Sequence, residues 1–364
     1  MLGAPAHRVE QPPGHHQFMT SDEPTPAGAA GLPSWQARRS CLTVPGSSER
    51  FLAKARNLAA SATSAVPAGP AASAPDEVIL DLEDSVAPAA KQQARALVAA
   101  ALDDRWPRER LVAVRVNGAA TPWAYRDVIE IMERAGARLD AIVLPKVSGP
   151  DQITWLDVLL NQLELGSGLM PGRIRIEAQI EDAAGLAAVN QIAHASPRLA
   201  TLVFGPADFM ASLGMRSLSI GNQPAGYAGG DAFHYAHLRI LVAARAAGLQ
   251  AIDGPFAAIG DPSGLASAAA SVAALGYDGK WVVHPDQIAP VNAAFAPSQN
   301  EYERAERILA AYDHATSVQR RGAVMLDNEM IDEATRKLAQ IAAARGRAAR
   351  RPGGSGPDLG QPMN

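Results

Sequence analysis

Short apolar, β-branched runs recur along the chain, and several stop on a residue that a strand interior does not favour. Val78-Ile79-Leu80 runs into Asp81, Leu111-Val112-Ala113-Val114 into Arg115, and Ile176-Glu177-Ala178-Gln179-Ile180 into Glu181. Thr201-Leu202-Val203-Phe204 follows the same pattern and leads through Gly205-Pro206-Ala207 to Asp208. Further runs at 41–44, 141–145, 250–253 and 280–283 bring the expected strands to eight. Pro45-Gly46 closes the first of them, and Ser47-Ser48 signals a helix beginning near Glu49. Between strands, apolar residues return at helical spacing over 89–102, 123–135, 152–163, 183–194 and 265–275.

Strands alternating with helices predict an α/β fold, a closed (β/α)8 TIM barrel rather than an open sheet. No Gly-x-Gly-x-x-Gly follows a strand, which removes the usual dinucleotide-binding reading. Two further helical stretches, 301–315 and 331–344, lie beyond the eighth strand and are joined by a turn at Gly322 and the run 325–330. A barrel does not need them, so they are expected to cap a face or reach a neighbouring subunit. The expected organisation is a disordered tail over 1–37, a barrel over 38–298, a helical extension over 299–345 and a second disordered tail over 346–364. Met1 to Pro33 is rich in Pro, Gly, Ala and His without periodicity, and Met19 offers a second start. An Ala/Pro/Ser/Gly stretch over 61–75 reads as a surface loop.

Composition narrows the function classes. Hydrophobic residues make up 48% of the chain, enough for a sizeable core. The formal charge of −4 is mild and not blocky, which argues against nucleic acid as a partner. The lone cysteine, Cys41, excludes an internal disulfide and a cysteine-built zinc site. No apolar stretch approaches the roughly 20 residues that span a bilayer, and no secretion or transit signal is legible. The expected location is cytoplasmic.

Carboxylates left unpaired at buried strand ends cost several kcal/mol, so such ends ordinarily serve a ligand. In parallel α/β proteins the C-terminal ends of strands are where ligands bind. A barrel would bring Asp81, Glu83, Asp84, Arg115, Lys146, Glu181, Asp208 and Asp253 to one rim. Glu181 and Asp208 can hold a hard divalent cation such as Mg2+, which takes one or two protein carboxylates and completes its shell with water and substrate oxygens. Alternatively, both cap the helices that follow. Asp81, Glu83 and Asp84 would orient those waters and the arginine, or form structural salt bridges with Arg115. Arg115 is a fixed cation suited to a substrate carboxylate or developing oxyanion. Lys146 reads equally as a site residue or a solvated loop lysine. His284 reads as stabilising a turn, and His234 and His237 as core or subunit-contact residues with no third zinc ligand at suitable spacing.

Several segments together resemble the citrate lyase β-chain and malyl-CoA lyase superfamily (the HpcH/HpaI aldolase-like CoA-ester lyases). They are Ser40-Cys41-Leu42-Thr43-Val44-Pro45-Gly46-Ser47, Asp81-Leu82-Glu83-Asp84-Ser85-Val86-Ala87-Pro88, Val114-Arg115-Val116-Asn117-Gly118 and Leu144-Pro145-Lys146-Val147. Ile180-Glu181-Asp182-Ala183-Ala184-Gly185, Gly205-Pro206-Ala207-Asp208 and Asp253-Gly254-Pro255-Phe256 continue the series in order. The segment 215–237 is similar to the L-malyl-CoA/β-methylmalyl-CoA lyase branch. The resemblance implies Mg2+, with Mn2+ as an alternative, on Glu181 and Asp208, and Arg115 on the substrate. It implies coenzyme A, as part of the substrate, along Thr43, Val44, Ser48 and Lys54, with Ala207, Asp208, Ile252 and Asp253 lining the pocket. Ser48 stands where relatives carry a basic residue, which passes phosphate contacts to Arg50 or Lys54. A catalytic aspartate is implied at Asp332, contributed across a subunit boundary in a homotrimer or homohexamer.

The implied reaction is reversible cleavage of malyl-CoA or β-methylmalyl-CoA to acetyl-CoA or propionyl-CoA and glyoxylate. Alternatives on the same scaffold are citramalyl-CoA cleavage and malyl-CoA hydrolysis. A non-catalytic or citrate lyase β-type subunit of an acyl-carrier complex is a further alternative.

Overall fold

The computed structural model describes residues 36–60 and 74–350. Residues 1–35 of the expected tail over 1–37, with Met19, most of the Ala/Pro-rich loop, at 61–73, and residues 351–364 of the expected tail over 346–364 lie outside the described residues, while residues 346–350 continue the last helix. Eight strands form a closed, all-parallel barrel in chain order: β1 (Ser40–Pro45), β2 (Glu77–Asp81), β3 (Leu111–Arg115), β4 (Ala141–Leu144), β5 (Arg175–Ile180), β6 (Leu199–Phe204), β7 (Gln250–Asp253) and β8 (Gly279–Val282). β8 closes on β1, with Cys41 opposite Trp281.

Alternation along each strand decides which side chains reach the bore. Cys41, Ile79, Ala113, Ala141, Val143, Val203, Ile252 and Trp281 form the compact apolar core inside it. Their strand neighbours, such as Leu42, Val78, Leu80, Val112, Val114, Ala178, Leu202 and Val282, pack outward in the larger core with the helices. By the same parity Asp81, Arg115 and Glu181 face inward, whereas Asp253 and Lys280, flanking Ile252 and Trp281, face the helix layer.

Lower in the strands, Arg38 lies 3.4 Å from Glu77 and 3.2 Å from Glu177, all three buried. Burial and the neighbouring Glu177 carboxylate push Glu77 well above the usual carboxylate range, because one arginine faces two acids.

The extension is built from helices Gln299–Ser317 and Glu333–Arg350 and a hairpin of β9 (Val324–Leu326) and β10 (Glu329–Ile331). Ser298 and Glu301 form a reciprocal capping box on the first helix. Asp327 and Asn328 turn the hairpin with φ of 48° and 66°, a left-handed conformation these two residue types tolerate. That turn makes a hairpin of the run 325–330. Ala305, Ile308, Ile331, Ala339 and Ala343 form the extension's own small core. Arg345 donates to the Gly276 and Tyr277 carbonyls at 3.1 and 3.2 Å and to Asp278 at 2.8 Å, immediately before β8. The last helix therefore docks at the N-terminal end of the strands, opposite the rim that carries Arg115.

At β8 the chain approaches another backbone so closely that no side chain fits. A Cβ added to Gly279 would lie 1.7 Å from the Arg38 carbonyl oxygen. Gly279→Ala is expected to destabilise the barrel by about 3 kcal/mol or more, read as a lowered urea midpoint. An unchanged midpoint would show that β1 and β8 can part freely.

Candidate active site

The rim is assembled around Arg115. Its Nε and Nη2 donate to the two oxygens of Asp81, both at 2.7 Å, and Nη1 lies 3.2 Å from Glu83. The guanidinium sits over the Trp281 ring, 5.4 Å from its centroid. Asp81 is itself held by the chain that leaves its strand, accepting from the Glu83 amide at 2.9 Å and the Ser85 amide at 3.2 Å. Burial alone would raise Asp81, but the charge and hydrogen bonds of Arg115 hold it below the usual carboxylate range. Lys91, on the next helix, donates to the Leu82 carbonyl at 2.9 Å and the Glu83 carbonyl at 2.7 Å. Asn117 donates to Leu82 O at 3.0 Å. Together they fix the loop that presents Glu83.

Across the bore, Glu181 accepts from the Lys146 amide at 2.6 Å and from Gln179 at 2.7 Å. Lys146 has φ of 55°, a left-handed conformation that turns its amide onto Glu181. Its ammonium bonds Glu83 and lies 3.2 Å from Asp84 and 3.6 Å from Asp208. Asp208 stands in the first turn of the helix Pro206–Leu213, where β6 hands over to Gly205-Pro206. Gly205 is required there, since a Cβ would come within 2.4 Å of the Glu181 Cβ. Burial and the Asp208 carboxylate push Glu181 up to about 8.

Five carboxyl groups (Asp81, Glu83, Asp84, Glu181 and Asp208) thus meet two cations, Arg115 and Lys146, with Lys91 behind them. Arg115 is paired to Asp81 and Glu83, which leaves Glu181 and Asp208 repelling each other. A hard divalent cation fits that donor set, because it would relieve the repulsion and accept oxygen ligands. Among the described residues no group of three or more His, Cys, Asp or Glu converges as a closed metal cage. Water or substrate oxygens would have to complete the coordination.

The remaining candidates are placed as follows. Thr43 and Ile252 face the bore by strand parity, and Ala207 is exposed beside Asp208. Ser48 accepts from the Phe51 amide at 3.4 Å at the head of the helix Glu49–Ala60, on which Lys54 is exposed. Val44 packs partly against the outer core. Asp84 is exposed at the edge of the rim. Asp332 caps the helix Glu333–Arg350, its Oδ1 accepting from the Thr335 amide at 3.0 Å and the Thr335 hydroxyl at 3.1 Å. About 20 Å of helix, at 1.5 Å per residue, separates it from the anchor at Arg345.

Asp253 corrects one expectation. Although it ends a strand, its side chain leaves the bore and is buried against Lys280, with which it forms a salt bridge, and His237, 3.1 Å away. Lys280 also donates to the Gly254 carbonyl at 2.7 Å. Burial opposes it, but these two cations hold Asp253 far below the usual carboxylate range. His237 packs edge-on to Phe204 and Tyr277 and lies 3.9 Å from Asp231 on the loop before its helix, a buried core histidine. His284 accepts from the Asp286 amide at 3.3 Å, as a turn-stabilising residue does. Lys91, Gln179 and Gly205 were missed as supports of the site. Their only sequence signal was proximity to the strand-end acids.

Residues 58–285 match the family model described as HpcH/HpaI aldolase/citrate lyase. The chain is 40% identical over 280 residues to the L-malyl-CoA/beta-methylmalyl-CoA lyase of Cereibacter sphaeroides, covering 74% of this chain and 87% of that protein. It is 34% identical over 297 residues to the citrate lyase subunit beta of Haemophilus influenzae, covering 81% and 92%. The crystal structure of CitE from Mycobacterium tuberculosis in complex with magnesium, acetoacetate and coenzyme A superposes with a TM-score of 0.64 at 29% identity, covering 85% of this chain and 98% of that one.

The His237 pair yields a pH signature. Burial would lower its pKa, but Asp231 and Asp253 raise it from 6.5 to about 9. A folded-state pKa above the unfolded one gives stability that is complete below about 6.5 and lost as pH rises through about 9. The expected loss is up to ~3 kcal/mol. Urea midpoints should fall between pH 6.5 and 9.5 in the wild type and much less in His237→Gln; equal falls in both would place the titration elsewhere.

Proposed function

This chain belongs to the HpcH/HpaI aldolase/citrate lyase family, and from that membership we propose a Mg2+-dependent lyase of malyl-CoA and β-methylmalyl-CoA. Cleavage between the α and β carbons of the acyl group gives acetyl-CoA or propionyl-CoA and glyoxylate, reversibly. The observation that supports this reading most is the meeting of Arg115, Glu181 and Asp208 on one rim of a closed barrel. The Cereibacter sphaeroides relative favours the substrate pair.

Glu181 and Asp208 are the residues that would hold the metal. When bound, Mg2+ supplies Lewis acidity toward the carboxylate and carbonyl oxygens of the oxo-acid portion. Arg115 keeps N–H donors to spare after bonding Asp81 and Glu83, and these stabilise negative charge developing on substrate oxygen. Asp81 and Glu83 hold the guanidinium in place, so little reorganisation accompanies the charge change. The coenzyme A portion lies along Thr43, Val44 and Ser48, with Lys54 as a point charge for phosphate. Ala207 and Ile252 line the acyl pocket, where Asp253 contributes its main chain.

Asp332 of a neighbouring subunit moves a proton to and from the acetyl or propionyl carbon, as general acid in cleavage and base in condensation. The extension of one protomer then closes the rim of the next and excludes water from the thioester enolate. Met325 and Met330 support this role, as they face each other across the hairpin and are 64% and 66% exposed. The homotrimer or homohexamer follows from the same reading.

Purified protein assayed with malyl-CoA and with citramalyl-CoA, with and without Mg2+, should release glyoxylate from the former in a metal-dependent manner. Pyruvate would identify citramalyl-CoA cleavage, free malate with CoA a thioesterase, and no turnover an assembly subunit. Glu181→Ala and Asp208→Ala are expected to lose Mg2+-dependent turnover while melting within a few degrees of wild type, since both are rim residues. Near-normal rates in both at low Mg2+ would remove the metal assignment.

Asp332→Asn is expected to bind thioester nearly normally yet lose most turnover. Mixing it with Arg115→Ala under conditions of subunit exchange should recover part of the activity, because some sites then hold one intact residue of each kind. Absence of rescue despite demonstrated exchange would confine Asp332 to its own chain.

A further inference from the structure

We propose that Lys146 is a tethered counter-ion of the metal site, a positioning residue that sets how tightly the site takes its divalent cation. The proposal rests on the assignment of Glu181 and Asp208 as metal ligands. It concerns a residue that this assignment leaves without a role.

Lys146 is joined to both ligands by different parts of itself. Its main-chain amide donates to Glu181 at 2.6 Å, and its ammonium faces Asp208 at 3.6 Å. The first contact depends on the backbone, with φ of 55° at a non-glycine residue, one of only four such positions among the described residues. A lysine in that conformation is strained relative to glycine, and strain of this kind persists where the surrounding structure holds it. The second contact is longer than a hydrogen bond, so it is an attraction through space that costs little to give up. The ammonium is hydrogen-bonded to Glu83 and lies 3.2 Å from Asp84. Both are placed to retain it.

This arrangement gives the ammonium two functions. Before metal binds, it offsets part of the acid excess at the rim and limits repulsion between Asp208 and its neighbours. When a divalent cation arrives, the ammonium withdraws onto Glu83 and Asp84, and its charge opposes the incoming ion at short range. The amide stays on Glu181 throughout, so one ligand keeps its orientation while the field acting on the other changes. Metal affinity is thereby held below what two unopposed carboxylates would give, which leaves coordination positions open to exchange with substrate oxygens.

Lys146→Met removes the charge, keeps an unbranched side chain one atom shorter, and leaves the main-chain amide bond to Glu181 in place. Mn2+ binding to purified, substrate-free protein, followed by electron paramagnetic resonance and by calorimetry, should tighten at least tenfold, the scale of one charge roughly 6 Å from a divalent ion at the dielectric of water. The metal-free variant should melt below the wild type, and saturating Mg2+ should raise its melting temperature by more than it raises that of the wild type. Lys146→Arg restores the charge and should return the Mn2+ affinity to near the wild-type value. Equal or weaker Mn2+ binding in Lys146→Met, with wild-type binding intact, would overturn the counter-ion role. Tightening in Lys146→Arg equal to that in Lys146→Met would overturn it as well. Failure of the wild type to bind either ion would instead remove the metal assignment on which the proposal stands.

Discussion

The rim depends on one rung of the barrel, where the parallel register of β2 and β3 sets Asp81 beside Arg115. Both side chains point inward by parity, so neither can reach bulk water without leaving the bore. A guanidinium buried alone would cost several kcal/mol, and the two-point contact with Asp81 is what permits a permanent cation at that depth. The pair then propagates order around the rim. Arg115 meets Glu83, Glu83 meets Lys146, and the Lys146 amide meets Glu181. Side chains from β2, β3 and the segments after β4 and β5 become one connected network whose geometry is inherited from strand register.

That network is deliberately short of positive charge. Buried acids with too few cations destabilise a fold, and here the shortage is concentrated between Glu181 and Asp208, where Glu181 is pushed up to about 8 by burial and by its neighbour. The close approach is enforced from behind by Gly205, which lets β6 come within contact of Glu181 where a Cβ would not fit. The same chain handles two other buried acids differently. Asp253 receives Lys280 and His237, and Glu164 is bonded at both oxygens by Arg198. Those two carboxylates have cations of their own, whereas Glu77 and Glu177 share Arg38, and at the rim Asp208 has only the shared ammonium of Lys146. Of these two shortages, the one around Arg38 is sealed inside the barrel, and the one at the rim is open to solvent through Asp208, where a ligand can reach it.

The barrel and most of its rim were legible in the sequence because both come from local pattern. Apolar β-branched runs specify the strands, and an acid or arginine closing such a run stands out against it. Side-chain direction was the weaker inference. Asp253 closes its run as Asp81 does, but it follows Ile252, which occupies the bore, so alternation sends the aspartate to the helix layer. Lys91, Gln179 and the Arg38–Glu77–Glu177 cluster were illegible for a different reason. The cluster joins segments far apart in sequence, whereas Lys91 and Gln179 act on near neighbours in the chain, and nothing in the local pattern distinguishes any of them from ordinary surface or strand residues. The hairpin at 324–331 was hidden by its brevity, with three-residue strands too short to show alternation.

The extension separates two tasks that a single helix can perform at its opposite ends. Arg345 ties the last helix to the segment before β8 through two carbonyls and the Asp278 carboxylate, at the face of the barrel remote from Arg115. Asp332 stands at the other end of that helix, with the hairpin and its exposed methionines beside it. A small core of Ala305, Ile308, Ile331, Ala339 and Ala343 holds the two helices and the hairpin together as one unit. Rigidity suits the role proposed for Asp332, because a proton-transfer group must be held to a fraction of an ångström. The N-cap bonds from Thr335 hold Asp332 in one orientation and keep its carboxyl below the usual carboxylate range. Anchoring, rigidity and an oriented carboxylate are thus three consequences of one helix and its cap, and the proton-transfer role proposed for Asp332 draws on all three.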